Sequence, residues 1–60
     1  MTIQEAVKKA INDPDIAGKF ADYCRFKLGM NYEQTYDLVK KHSDISKPNW
    51  EMLLYESDVY

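Results

Sequence analysis

The sequence predicts an all-α fold, a compact bundle of four short helices in one domain covering residues 1–60. Apolar residues recur at spacings of three and four along each segment, which is the pattern of an amphipathic helix, and no segment shows the alternation of a strand. A residue that commonly caps helices precedes each segment, and the connections are short. A chain of 60 residues suffices for one domain but buries only about 60% of its surface on folding.

The first helix is predicted over residues 3–11. Thr2 and Glu5 have the spacing of a capping box, which satisfies free backbone N–H groups at a helix start. Because the residues that follow repeat with helical spacing, one face of this helix is expected to join the core. The apolar stripe consists of Ile3, Ala6, Val7, Ala10 and Ile11.

The second helix is predicted over residues 14–28. Asp13 can cap it, and Pro14 suits the first helical position, where a backbone N–H is not needed. Gly29 is a natural C-terminal cap. The broad apolar face of this helix consists of Ile16, Ala17, Phe20, Ala21, Tyr23, Cys24 and Leu28.

The third helix is predicted over residues 32–42. Asn31 and Gln34 form a second capping-box pattern at its start. Lys40 and Lys41 lie in its last turn, where cations favour the negative end of the helix.

The fourth helix is predicted over residues 47–56. Ser46 can cap it, and Pro48 is tolerated in its first turn. Ile45 before the cap and Trp50 after it have the spacing of a hydrophobic staple, which fixes the entry angle of the chain.

No constellation in the sequence is typical of catalysis. Its one cysteine, Cys24, lies in an apolar stripe, and its one histidine, His42, lies near the end of a helix that favours a cation. A single thiol forms neither an internal disulfide nor a zinc site. Asp13, Asp15 and Asp44 stand where helix starts favour carboxylates. We therefore expect no enzyme activity, no cofactor and no metal site.

The sequence also lacks signals for export or for the membrane. The N-terminal residues have no positive stretch followed by an apolar run, and no apolar run approaches the roughly 20 residues that span a bilayer. A small domain without disulfides is typical of a reducing compartment. We expect a cytoplasmic protein that does not enter the membrane, with a core too small to enclose a substrate.

The charge distribution disfavours a nucleic-acid partner. Eight Lys and Arg residues against ten Asp and Glu residues give a net charge of −2. Residues 48–60 contain acidic residues and no basic residue, so this segment should repel a phosphate backbone. Nucleic-acid-binding domains usually carry a basic surplus instead.

The fourth helix has more large apolar side chains than one core-facing stripe can hold. Trp50, Met52, Leu53, Leu54 and Tyr55 are distributed around most of its circumference, and such a helix is normally covered on every side. Because so short a chain cannot easily surround it, we expect contact with another protein or with a second copy of the chain. The alternative is that the C-terminal tail folds back over the helix.

The leading interpretation is a non-enzymatic protein-interaction module or small regulator. It would dock an apolar, acid-rimmed surface centred on the fourth helix, and the acidic rim would steer a basic partner. The expected contact residues are Trp50, Met52, Tyr55 and Tyr60, with Phe26 as an outlying member and with Glu51, Glu56 and Asp58 as the acidic rim.

Residues 38–54 resemble the second half of a helix-turn-helix. The stretch 44–47 corresponds to the turn, and Trp50 and Leu53 occupy positions that are usually apolar in a recognition helix. The resemblance implies a DNA-binding transcriptional regulator and is the alternative to protein docking. The residues that would contact DNA are Lys40, Lys41, Lys47 and Asn49.

Residues 28–54 also resemble a ubiquitin-associated domain. Leu28, Gly29 and Met30 stand at the place of that family's methionine-glycine-aromatic loop, and Leu53 and Leu54 correspond to its closing apolar pair. Neither resemblance covers the whole chain, so neither family is adopted.

Overall fold

The computed structural model describes residues 2–57, and this part of the chain contains four α-helices. This part of the chain contains no strand, so the prediction of an all-α bundle is confirmed. The helices are α1 (Ile3–Ala10), α2 (Pro14–Phe26), α3 (Tyr32–His42) and α4 (Lys47–Glu56).

Each helix begins at the capping residue that the sequence predicts. The Asn31 side chain accepts the Gln34 backbone N–H at 2.8 Å, and the Gln34 side chain accepts the Asn31 backbone N–H at 2.9 Å, which completes a capping box. Such caps satisfy backbone donors that have no partner within the helix. The capping residues of α1 to α4 are Thr2, Asp13, Asn31 and Ser46.

The second helix ends at Phe26, two residues earlier than its apolar pattern predicts. Gly29 adopts the left-handed conformation with φ 66°, which costs glycine little because it has no Cβ. This turn directs the backbone N–H of Met30 onto the Cys24 carbonyl at 3.0 Å. Leu28 therefore leaves the helical face and is exposed, as is Tyr23 on the edge of that face.

The core lies around α2, which packs against each of the other three helices. Trp50 of α4 is the largest fully buried side chain. Because α4 packs mainly on α2, its opposite face is left uncovered by the other described helices. The core residues are Val7, Ala10, Ala17, Phe20, Ala21, Cys24, Val39, Trp50 and Leu54.

Within residues 2–57, no helix combines the length and the apolar character that crossing a bilayer requires.

Candidate docking surface

The apolar side chains of α4 divide between the core and the surface. Trp50 and Leu54 are buried, whereas Met52 is 56% and Tyr55 is 89% exposed. At about 100° per residue, Met52 and Tyr55 lie about 200° and 140° around the helix from Trp50. A helix anchored by Trp50 must therefore present both residues outward, and no described part of the chain covers them.

Trp50 itself does not belong to the surface, and its expected role as a contact residue is wrong. Its side chain is fully buried and packs edge-on against Phe20, with ring centroids 6.5 Å apart. Its indole Nε1 has no hydrogen-bond partner among the described residues, which costs about 1–3 kcal/mol for a buried donor. Trp50 holds α4 in place and cannot contact a partner directly.

An open groove runs along one side of the exposed face of α4, with a volume of about 480 Å³. Three segments form it: the capping residue that follows α1, the connection between α3 and α4, and one side of α4. We call it the α4 groove. Its lining residues are Ile11, Asp44, Ile45, Asn49, Met52, Leu53 and Glu56.

The lining of the α4 groove combines four apolar side chains with two carboxylates and one amide. Asp44 and Glu56 carry carboxylates, Asn49 supplies an amide, and no lysine or arginine is among the described residues that line it. Neither carboxylate forms a salt bridge within residues 2–57. The groove therefore combines apolar side chains, which a partner could cover, with two negative charges that no described salt bridge neutralises.

Glu51, which the sequence predicts as part of the acidic rim of the α4 surface, does not line the α4 groove. Burial of the Tyr32 phenol and the neighbouring Glu51 carboxylate raise the pKa of Tyr32 to about 12. Glu51 is thus placed toward the start of α3, on the other side of α4 from Glu56. Of the other expected contact residues, Tyr60 and Asp58 lie outside the described residues.

Sequence reasoning missed Ile11, Asp44, Ile45 and Leu53 as site residues. The sequence places Ile11 in the apolar stripe of α1 and Asp44 where a helix start favours a carboxylate. Each of these predictions uses neighbouring residues only. Only the packing of α1, α4 and the α3–α4 connection brings these side chains together. The sequence signal that did point here is the surplus of apolar residues on α4.

Phe26 is 73% exposed and lies at the last position of α2. The guanidinium of Arg25 lies 5.3 Å from the centroid of its ring, within the range of a cation–π contact. Phe26 does not line the α4 groove. It forms a separate exposed feature rather than an extension of that surface.

The residues of the DNA-binding alternative lie in different surroundings. Lys47 Nζ pairs with Glu33 Oε1 at 2.8 Å and lies 5.7 Å from the centroid of the Tyr32 ring. This hydrogen bond with Glu33 raises the pKa of Lys47. Asn49 lies in the acidic α4 groove. Lys40 and Lys41 are exposed in the last turn of α3.

Cys24 and the remaining concave surface offer less to a partner. Cys24 is fully buried, and this burial raises the pKa of its thiol. No three His, Cys, Asp or Glu side chains come together as metal ligands in the described part of the chain. A smaller groove of about 310 Å³ is lined by Arg25, Met30, Tyr32 and Thr35, among others.

The chain matches no protein-family model, no curated protein and no solved structure.

Proposed function

We propose that the protein is a non-enzymatic interaction module that docks the α4 groove onto a partner protein. The partner presents an apolar side chain flanked by lysine or arginine. The observation that carries this proposal is a groove lined by apolar side chains, the exposed Met52 among them, and by two carboxylates that form no salt bridge within residues 2–57.

The apolar part of the surface supplies affinity. Met52 is more than half exposed and Tyr55 almost wholly exposed, so covering them removes apolar area from water. Fully burying a side chain such as methionine is worth about 1.5–3 kcal/mol. Methionine and tyrosine are also enriched at the centres of protein interfaces.

The acidic part of the surface selects the partner. Asp44 and Glu56 border the groove without a basic neighbour in its lining. Such a field accelerates the encounter with a positively charged surface and opposes a negatively charged one. The preferred partner is therefore basic around its apolar contact.

A binding experiment with two synthetic helical peptides tests the proposal. Both carry the same phenylalanines and leucines on one face, but one bears lysine and arginine beside them and the other bears glutamate. The protein should bind the basic peptide, and binding should weaken as salt is added because the charges are exposed. Equal binding of both peptides, or of neither, would contradict the proposal.

A pair of matched variants locates the binding site. Met52→Lys places a cation in the α4 groove and should weaken binding of the basic peptide by about tenfold or more. Tyr23→Lys makes the same kind of change at a side chain that is 51% exposed and does not line that groove, and it should leave binding unchanged.

A further inference from the structure

We infer that a second copy of this chain supplies the side chain that docks in the α4 groove, and that this side chain is Phe26. The inference rests on the proposed function and adds the identity of one partner. Phe26 and its two basic neighbours are called the Phe26 ridge, defined as Arg25, Phe26 and Lys27.

The Phe26 ridge has the chemistry that the α4 groove selects. Phe26 is a large apolar side chain with 73% of its surface exposed, and Arg25 and Lys27 on either side of it are exposed cations. Asp22, half-buried one turn earlier, is the acidic residue nearest in sequence. The ridge thus offers two positive charges and one aromatic ring to a groove with two carboxylates.

The groove also has room for this occupant. Its volume of about 480 Å³ lies within the range of about 300–1,000 Å³ that is typical of pockets for compact ligands. Ile11, Ile45, Met52 and Leu53 supply the apolar lining, and Asp44 and Glu56 supply negative charges that complement Arg25 and Lys27.

One copy cannot make this contact with itself. Phe26 is the last residue of α2, whereas Ile11 of the groove precedes Pro14, the first residue of α2. Twelve helical steps between Pro14 and Phe26 correspond to about 18 Å, most of the 22 Å extent of the molecule. Ile11 and Phe26 thus lie at opposite ends of α2, and Phe26 does not line the groove of its own copy.

Each contact joins a ridge on one copy to a groove on another. When each Phe26 fills the groove of the other copy, the two contacts are related by a two-fold axis and close into a dimer. When the contact is made in one direction only it is heterologous, and it closes into a ring or extends from copy to copy.

A mixing experiment by sedimentation velocity tests this inference. The ridge variant Arg25→Glu/Phe26→Ser and the groove variant Met52→Lys/Glu56→Lys should each self-associate about tenfold more weakly than the wild type. An equimolar mixture should form a heterodimer, because one copy keeps the ridge and the other keeps the groove. Asp37→Lys changes an exposed residue of α3 outside both surfaces and should associate like the wild type.

Three results would overturn the inference: a wild type that stays monomeric at the highest attainable concentration, variants that associate like the wild type, or a mixture that does not recover association. Circular dichroism of each variant ensures that a loss of association is not a loss of folding. The basic peptide separates this inference from the proposed function. A monomeric wild type that binds the peptide overturns self-docking alone, whereas one that does not bind it overturns both.

Discussion

The ring of Phe20 meets the indole ring of Trp50 nearly at a right angle, with 83° between the planes and 6.5 Å between the centroids. This edge-on contact is a favoured aromatic geometry, and it joins α2 to α4 inside the core. Because Trp50 is held inward, the rotation of α4 about its own axis is fixed. Met52 and Tyr55 face outward as a consequence of this contact.

Phe20→Ala should destabilise the protein far more than Phe26→Ala does. Removing a buried phenylalanine costs about 3–5 kcal/mol, which is comparable to the whole stability expected of so small a core. Phe26 is largely exposed, so its truncation should change the free energy of unfolding by about 0.5 kcal/mol or less. Urea unfolding followed by circular dichroism measures both, and equal losses would contradict the assigned core.

The Cys24 thiol should be protected from alkylating and disulfide reagents in the folded protein. Its full burial keeps reagents away from the sulfur, and burial also raises the pKa of the thiol, which leaves less of the reactive thiolate. Labelling should therefore follow the rate at which the protein opens and become rapid in urea. Immediate stoichiometric labelling of the native protein would show that α2 does not pack as described.

Stability should decline at alkaline pH. The pKa of Tyr32 is raised from 10.0 to about 12 by burial and by the neighbouring Glu51 carboxylate, and that of Lys47 is raised from 10.5, chiefly by its hydrogen bond with Glu33. For both groups the protonated form is favoured by folding. Their contribution is therefore complete below about pH 10 and is lost as the pH rises through the folded-state pKa values.

Tyrosinate absorbance and urea midpoints across this pH range measure the effect. One tyrosine should titrate near pH 12, and Tyr32→Phe should remove that phase. Glu51→Gln should shift the same phase toward lower pH, because it removes the neighbouring negative charge. Unchanged titration in Glu51→Gln would contradict the placement of Glu51 against Tyr32.

The helix starts could be predicted from the sequence because capping is local. Asn31 and Gln34 need only their own spacing to form the cap that the structure contains. The end of α2 depends on a different interaction, the backbone bond from Met30 to Cys24 that follows the turn at Gly29. Gly29 indicates a turn at this point, but the apolar pattern continues to Leu28 and does not show that the helix ends at Phe26.

The sequence predicts the candidate site only in part, because the site also depends on contacts between segments that are distant in sequence. The exposure of Met52 and Tyr55 follows from the excess of apolar residues on α4. The burial of Trp50 depends on Phe20, thirty residues earlier in the sequence, and the groove needs Ile11 beside Ile45. Those pairings are set by tertiary packing, which a single sequence read segment by segment does not specify.

The most direct test of the docking surface is a nuclear magnetic resonance titration of the isotopically labelled protein with the basic amphipathic peptide. The largest backbone amide shifts should fall at Ile45, Met52 and Leu53, and Glu56→Lys should weaken the binding that produces them. Shifts confined to the smaller groove beside Met30 and Thr35, or no shifts at any attainable peptide concentration, would contradict the assignment of the α4 groove as the surface that binds a partner.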